Sequence, residues 1–369
     1  MKTNPVGACM HRPRQDSLQT GVIMKQEILD KLLSILKTSQ KDLRNHFTSA
    51  GTDCYRIFNR GYSNLPLLID RYGVYIHITV LDGPEEFELT EDEIKKIAGA
   101  LYCPVDRMII KTRQSLSDHE QYSALDGKQE KIIANENGLK FHVNLRDYID
   151  TGLFMDHRKT REMVRDDCFG LSVLNLFSYT GSFSIYAASG GASRITSVDL
   201  SSTYLDQAKE NFRLNDFLPG AFEFVQSDVF KFLEEAAAKK EKWDLIVLDP
   251  PTFSNSRKME RTLKIQKDYL ELILSCFKVL KGGGRLLFSN NLSDFRFHKK
   301  DFPSGIKIED ITKLTTDIDF KNKPAHKCWE LTGILQGKTG HEPRRRSGPS
   351  RFNSSNKGPD RGRDSKSKY

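Results

Sequence analysis

The chain has 369 residues and a formal net charge of +8 at pH 7, which is enough length for about two domains with substantial cores. It has no run of about 18 apolar residues, no apolar stretch of the secretory type near its start, and no CxxC pair among its six cysteines. A membrane span, secretion, a zinc site and a disulfide framework are therefore disfavoured. We expect a cytoplasmic protein with no metal site and no membrane partner; the oligomeric state stays open.

The first 150 residues divide into three parts by pattern. Residues 1–23 are polar and lack apolar periodicity, so we expect a disordered leader or a true start at Met24. Residues 24–50 begin with apolar side chains on one helical face and predict an N-terminal helical segment. In residues 51–150, short apolar runs alternate with turn signals such as Glu136-Asn137-Gly138 and predict a small α+β domain.

An apolar run that meets a glycine turn characterises the larger domain, which we place at 151–336. The segment SVLNLFSYTGSF (172–183) predicts a buried strand, a tight turn at Gly181 and a helix. Such a turn lets a ligand approach the backbone closely, and the helix presents unpaired N–H groups. Asp199 follows at the end of the next apolar run, where doubly wound nucleotide-binding folds carry the acidic residue that binds the ribose hydroxyls.

Two further predicted strands end in polar groups. The first ends at Asp228 and the second at Asp249-Pro250-Pro251-Thr252-Phe253. The carboxyl ends of parallel strands meet at one edge of a sheet, so these groups should converge with Gly181 and Asp199 on one crevice. Asp228 has an alternative structural interpretation, as a carboxylate that caps the helix 229–238. The pattern predicts an α/β fold with a Rossmann-like, mostly parallel sheet and an antiparallel edge.

The ordered motifs resemble those of class I S-adenosylmethionine-dependent methyltransferases. A more specific resemblance is to the guanine-N7 half of the bifunctional 23S rRNA methyltransferases RlmKL and their standalone relatives, which are related to the RlmI family. It is carried by TGLFMDHRKTR (151–161), LNLFSYTGSFSIYAASGGASRITSVDLSSTYLDQAKENFRLN (174–215), LDPPTFSNSRKM (248–259), LLFSNNLSDFRF (286–297), EDITKLTTDIDF (309–320) and HKCWEL (326–331). This resemblance implies S-adenosylmethionine as cofactor, S-adenosylhomocysteine as product, and 23S rRNA or its assembly intermediates as partner. It also implies contact with RNA as a role for the domain at 51–150, with a purely structural role as the alternative.

The resemblance also implies a set of cofactor contacts. Arg158 would pair with the methionine carboxylate of the cofactor, although an ordinary solvated helix face is the alternative. Asp199 would bind the ribose and Asp228 the adenine amino group. The expected cofactor-binding residues are Asp156, Arg158, Asn175, Phe177, Tyr179, Thr180, Gly181, Asp199, Leu200, Asp228, Val229 and Asp249.

The Asp-Pro-Pro-Thr-Phe segment is the expected acceptor side. Two prolines fix an extended backbone whose carbonyls can accept hydrogen bonds, and Phe253 can stack on a base held out of its helix. Guanine N7 has an available lone pair and loses no proton before attack, so a site without a dedicated base suffices, and Asp249 would orient the guanine edge. The expected catalytic residues are Asp249, Pro250, Pro251 and Phe253, and the expected substrate-binding residues are Thr252, Phe253, Asn290 and Asn291.

Several alternatives remain open. The same carbonyl and carboxylate groups could hold a base for methylation at guanine N2 or at adenine N6. Cytosine C5 methylation is disfavoured because it needs a cysteine nucleophile, whereas the chain has Ser289-Asn290-Asn291 at the relevant place and Cys276 on an apolar helix face. A non-catalytic RNA-binding assembly factor is a further possibility.

Residues 337–369 predict a disordered tail. With ten basic and three acidic residues in 338–369, the tail would bind polyanions or act as a solubilising segment.

Overall fold

The computed structural model describes residues 24–81, 87–113, 131–146, 150–218, 222–255 and 262–334, all within one compact unit, Met1–Leu335. The predicted leader, the predicted basic tail and Ser256 of the acceptor motif lie outside these residues. In the described part of the chain, no helix has the length and apolar content needed to cross a bilayer.

The N-terminal part packs two helices on a four-stranded sheet. Helix α1 buries Leu29, Leu32 and Leu36, which recur every three or four residues and so share one face. The sheet order is β1-β2-β3-β4, with β3 and β4 parallel and the other pairs antiparallel. The elements are α1 (Gln26–Thr48), β1 (Cys54–Asn59), β2 (Leu67–Tyr72), β3 (Tyr75–Leu81), α2 (Glu91–Ala100) and β4 (Met108–Arg113).

A hairpin connects this part to the larger sheet. Strands β5 (Ile132–Glu136) and β6 (Leu139–Val143) are joined by Asn137 and Gly138, which have φ of 52° and 79°. Positive φ at both central residues suits the turns that match the twist of a two-stranded ribbon. On the other side, Phe141 stacks on Tyr186, with ring centroids 6.2 Å apart. The hairpin therefore shares a core with the helix that follows the glycine turn.

A seven-stranded sheet organises the rest of the described chain, in the order β14-β15-β13-β10-β7-β8-β9. Strands β7 to β10 and β13 are parallel, whereas β15 runs antiparallel to both β13 and β14. The predicted α/β fold with an antiparallel edge is confirmed. The elements are α3 (Arg158–Asp167), β7 (Ser172–Leu176), α4 (Ser182–Ser189), β8 (Arg194–Asp199), α5 (Ser202–Leu214), β9 (Glu223–Gln226), α6 (Val229–Ala238), β10 (Trp243–Leu248), β11 (Phe253–Ser254), β12 (Leu263–Lys264), α7 (Ile265–Val279), β13 (Leu280–Asn290), β14 (Ile306–Asp310), α8 (Thr312–Thr315) and β15 (Lys327–Gly333).

The central strands are apolar because helices cover both faces of the sheet. All five residues of β7 are buried, as expected for a parallel strand between two helix layers. The carboxyl ends of β7, β8, β9, β10 and β13 lie at the same edge. Gly181, Asp199, Asp228, Asp249 and Asn290 follow or end these strands, so the fold brings the predicted site residues to one side of the sheet.

Candidate active site

The turn after β7 has an unusual backbone. Phe177 and Tyr179 have φ of 56° and 50°, in the left-handed region that non-glycine residues rarely adopt, and Gly181 has φ of 78°. A Cβ at Gly181 would lie 2.8 Å from the Cβ of Ala208 on α5. Glycine is therefore required both by the backbone angle and by the close approach of α5. Strained residues of this kind persist where the surrounding structure holds them, often beside a ligand.

Asp199 ties this turn to the start of α5. Its Oδ2 accepts the Tyr179 N–H at 2.9 Å, and its Oδ1 accepts the Ser201 N–H at 2.9 Å. Burial raises the pKa of the Asp199 carboxyl, and the bonds from Ser201 and Tyr179 act in the opposite direction. Each carboxylate oxygen has a second lone pair, so both can still accept a hydroxyl of a ribose.

The other residues of the cofactor set take different positions. Asn175 is buried within β7, and its Nδ2 donates to Ser184 Oγ on α4 at 2.9 Å. Thr180 is also buried, and its Oγ1 donates to the Gly152 carbonyl at 2.6 Å. Both side chains therefore hold the turn in place from inside the protein. Phe177 and Leu200 are half-buried at the strand ends, and Val229 is a buried residue at the start of α6.

Asp228 caps α6. Its Oδ1 accepts the N–H groups of Phe230 at 2.8 Å and Lys231 at 3.3 Å. The capping role that the sequence left as an alternative is therefore present. Both bonds go to one oxygen, so the geometry leaves the second oxygen compatible with the predicted adenine contact.

Asp249 lies at the carboxyl end of β10 between two side chains from distant segments. Ser289 Oγ donates to Asp249 Oδ1 at 2.6 Å, and His157 Nε2 lies 3.4 Å from Asp249 Oδ2. Strands β10 and β13 pair with Leu248 opposite Phe288, so the next residue of each strand must be adjacent. Sequence reasoning missed Ser289 as a site residue, although its place at the end of a predicted neighbouring strand was an available signal.

The rest of the acceptor motif is partly exposed. Phe253 is 38% exposed, and Lys264 Nζ lies 5.9 Å from the centre of its ring. Thr252 is half-buried, and its carbonyl accepts the Ile265 N–H at 3.1 Å. Pro250 is buried and Pro251 is exposed. The motif therefore presents an exposed aromatic ring two residues after its prolines.

The two asparagines at the end of β13 differ in burial. Asn290 is 1% exposed, and its Oδ1 accepts the Leu292 N–H at 3.1 Å. Its Nδ2 is buried and has no hydrogen-bond partner among the residues that the structure describes. Asn291 is exposed. The Asn290 amide is thus a buried donor that still needs an acceptor.

Arg158 requires a correction. It is 1% exposed, and its guanidinium contacts Asp317 at 2.7 Å and Asp319 at 3.1 Å. It also donates to the Cys54 carbonyl at 2.8 Å. The predicted pairing with a cofactor carboxylate is incompatible with this geometry, because the guanidinium is enclosed and its charge is balanced within the protein. Arg158 instead connects the start of α3 to β1 and to the segment before β15.

Asp156 and His157 belong to a buried cluster that the sequence did not reveal. His326 Nδ1 and Asp156 Oδ2 are hydrogen-bonded at 3.0 Å, and the rings of His157 and His326 are stacked with centroids 4.2 Å apart. Asp156, His157 and His326 are close enough together to suggest a metal site. However, the rings are inclined by only 20°, and imidazole lone pairs lie in the ring planes, so stacked rings cannot direct them at one ion. The arrangement suits hydrogen bonding rather than metal binding.

Comparison with known proteins identifies the class of enzyme to which this chain belongs. Residues 106–297 match the family model described as S-adenosylmethionine-dependent methyltransferase. The chain also superposes on the methyltransferase SMU.776, solved in complex with SAH, with a TM-score of 0.66 and 25% identity over 84% of this chain and 83% of that one. The protein is therefore a Rossmann-like, S-adenosylmethionine-dependent methyltransferase, and the predicted cofactor is confirmed.

Curated relatives narrow the family further. The chain is 42% identical to ribosomal RNA large subunit methyltransferase K of Neisseria meningitidis serogroup B, over 76% of this chain and 81% of that protein. It is 39% identical to ribosomal RNA large subunit methyltransferase K/L of Pseudoalteromonas atlantica, over 80% of this chain but only 43% of that protein. The chain belongs to the family of ribosomal RNA large subunit methyltransferase K, which confirms the resemblance inferred from the motifs. It spans less than half the length of the K/L relative.

Proposed function

We propose that this methyltransferase transfers the methyl group of S-adenosylmethionine to N7 of a guanine in 23S rRNA or its assembly intermediates, in the cytoplasm. The observation that carries the proposal is the position of Asp249. Its carboxylate is fixed by Ser289 at 2.6 Å, and β10, which Asp249 directly follows, lies next to β7 in the sheet. The acceptor side is therefore one strand away from the glycine turn that would hold the cofactor.

On the cofactor side, the proposal assigns the ribose hydroxyls to Asp199 and the adenine amino group to the second oxygen of Asp228. The N–H groups of the strained turn and of α4 would line the remaining wall. The proposal keeps Asp156 at the methionine end of the cofactor. It excludes Arg158 from cofactor binding, because the Arg158 guanidinium is enclosed within the protein.

The environment of Asp249 favours N7 over an exocyclic amine. Ser289 already donates to one of its oxygens, and His157 Nε2 lies near the other. Because each of its carboxylate oxygens already has a donor group nearby, Asp249 is less suited to accept a proton from an amine than to stabilise a positive charge on the base. Attack by N7 releases no proton but makes the guanine ring cationic, so a fixed carboxylate nearby stabilises the transition state. The guanine edge also presents O6 as an acceptor, which we assign to the unpartnered Asn290 amide.

The cysteines disfavour cytosine C5 as acceptor. The free cysteines of the described residues are all buried. Cys328 is the one that lies opposite Ser289 across the β13–β15 pair, and burial raises the pKa of its thiol well above the usual range, with Asp249 acting in the same direction. A buried, protonated thiol is a poor nucleophile.

The experiment is mass spectrometry of nucleosides from 23S rRNA of a deletion strain, before and after incubation with purified protein and labelled S-adenosylmethionine. Loss of 7-methylguanosine on deletion and its return with wild-type protein are expected. Asp249→Asn should lower kcat about 10²–10³-fold, whereas Asp294→Asn at an exposed position should not. The appearance of N2-methylguanosine, N6-methyladenosine or 5-methylcytidine would overturn the N7 assignment. No methylated product with any RNA would favour an assembly factor.

A further inference from the structure

Two buried histidines, of which His157 contacts Asp249, are assigned no contact with substrate or cofactor in the proposed function. His157 lies in the turn before α3 and is 5% exposed; His326 lies just before β15 and is 3% exposed. Together with Asp156 and Asp249, they bring three distant chain segments to the carboxyl edge of the central sheet. Buried titratable groups at such an edge carry a desolvation cost, so their contacts call for an explanation.

The contacts of His157 indicate which nitrogen carries its proton. Its Nε2 lies 3.4 Å from Asp249 Oδ2 and 3.8 Å from Asp156 Oδ2. Its Nδ1 is buried and has no partner among the described residues. Because a neutral imidazole carries one N–H and favours the site where acceptors lie, the Nε2–H tautomer is the one that this environment selects.

Burial keeps the imidazole neutral near pH 7. It lowers the pKa of His157 below the ordinary value; Asp249 and Asp156 act to raise that pKa, and His326 and Arg161 act to lower it further. A protonated His157 would also have a buried Nδ1–H without an acceptor among the described residues. The neutral ring is therefore the form that fits the surrounding protein.

Two ring contacts hold the orientation of His157. His326 stacks on one side at 4.2 Å, and Phe183 meets the ring at 5.6 Å in an edge arrangement. His326 is itself held at both nitrogens, by Asp156 Oδ2 at 3.0 Å and Thr315 Oγ1 at 3.0 Å. A ring clamped in this way keeps Nε2 directed at Asp249.

We propose that His157 is a positioning residue for methyl transfer, which orients the Asp249 carboxylate through Nε2–H while Ser289 holds the opposite oxygen. The stacked His326 and its partner Asp156 support His157 in turn. The distance of 3.4 Å is longer than a hydrogen bond, and catalytic hydrogen bonds commonly shorten when the substrate binds. The inference rests on the proposed function in that Asp249 faces the acceptor base, but it does not depend on which atom accepts the methyl group.

The kinetic test compares His157→Gln, which keeps an amide donor, with His157→Phe, which keeps the ring shape alone. His157→Phe should lower kcat about tenfold to a hundredfold, the cost of a misplaced reacting group, and change the dissociation constant for S-adenosylmethionine less than twofold. His157→Gln should recover part of the loss. His77→Gln is the matched control, because His77 is also buried but lies on β3.

Coupling to Asp249 is tested with the double variant. If His157 acts through Asp249, His157→Phe combined with Asp249→Asn is no slower than Asp249→Asn alone. Independent, multiplying losses would overturn the proposal. So would a parallel loss of cofactor affinity and thermal stability in His157→Phe, because that pattern indicates a purely structural role.

A spectroscopic measurement separates this inference from the proposed function. In protein labelled with ¹³C-histidine, the His157 resonance is assigned by its disappearance in His157→Gln and is titrated against pH. It should titrate below 6.5, and Asp249→Asn should lower its pKa further, since Asp249 acts to raise it. An unchanged titration in Asp249→Asn would overturn the positioning role, whatever product the enzyme forms. Failure to form 7-methylguanosine would bear on the proposed function alone.

Discussion

Ser289 donates a hydrogen bond of 2.6 Å to Asp249 across the parallel β10–β13 pair. The bond joins the last strand of the parallel sheet to the residue that begins the acceptor motif. A hydrogen bond to a charged group is worth about 1.5–3 kcal/mol. We therefore predict that Ser289→Ala lowers kcat roughly tenfold to a hundredfold. The measurement is single-turnover methylation, with Ser293→Ala, at an exposed position, as the control. A wild-type rate in Ser289→Ala would show that Asp249 needs no support from β13.

Gly181 combines a φ of 78° with a Cβ position 2.8 Å from Ala208. Gly181→Ala should therefore lower the free energy of unfolding by about 1–3 kcal/mol and weaken cofactor binding. Urea unfolding and calorimetric titration with S-adenosylmethionine measure the two effects. Gly99→Ala in α2 is the control: a Cβ there meets nothing within 4 Å, so the variant should be neutral or more stable. Equal behaviour of the two variants would contradict the strain argument.

Asp199 accepts backbone N–H groups at both oxygens. Asp199→Asn replaces one accepting oxygen by a donor that faces an N–H group, and it removes the charge available to a ribose. We predict a loss of S-adenosylmethionine affinity of about tenfold or more. Asp206→Asn on the following helix, α5, is the control, since its side chain is 70% exposed and pairs with Lys209 on the surface. Unchanged affinity in Asp199→Asn would argue against the ribose assignment.

Arg158 is enclosed by Asp317 and Asp319. Removal of one partner from a buried ion pair costs about 3–5 kcal/mol, so Arg158→Ala should unfold at much lower urea concentration. Arg158→Lys should recover little, because an ammonium cannot reproduce the planar fork of donors. Lys95→Ala serves as the exposed control, with a side chain that is 65% exposed. Where Arg158→Lys remains folded, its affinity for S-adenosylmethionine should match that of wild type. A loss of that affinity without a loss of stability would instead support a role for Arg158 in cofactor binding.

Burial lowers the pKa of His77 on β3 to about 4, with Asp70 acting to raise it and Lys111 and Arg56 to lower it. An unfolded histidine titrates near 6.5. Between these values the unfolded state binds more protons, so stability rises with pH and is lost as the pH falls from about 6.5 toward 4. His77 should therefore lower the free energy of unfolding by an amount on the order of 3 kcal/mol as the pH falls through that window. His77→Phe should flatten the dependence of urea unfolding on pH, and His46→Gln, at an exposed helix position, should not. An unchanged slope in His77→Phe would place the acid sensitivity elsewhere.

By itself, the sequence determined the succession of the central strands along the chain and the polar residues that follow them. Each strand is a short apolar run followed by Gly181, Asp199, Asp228 or Asp249, and these signals are local in the chain. Parallel topology then brings them to one sheet edge without further information. The fold class could therefore be predicted before any contact was known, and the resemblance of the motifs to a known family implied the cofactor and the family.

Only the tertiary structure decided which side chains meet. Ser289 and Asp249 are 40 residues apart, Arg158 and Asp317 are 159 apart, and Asp156 and His326 are 170 apart. Local pattern cannot determine the register of strands that are distant in the chain, nor which charged group becomes enclosed. For that reason the sequence assigned Arg158 to the cofactor and overlooked His326. Burial decides between a charge that binds a ligand and one that is neutralised within the protein, and burial is a property of the assembled fold.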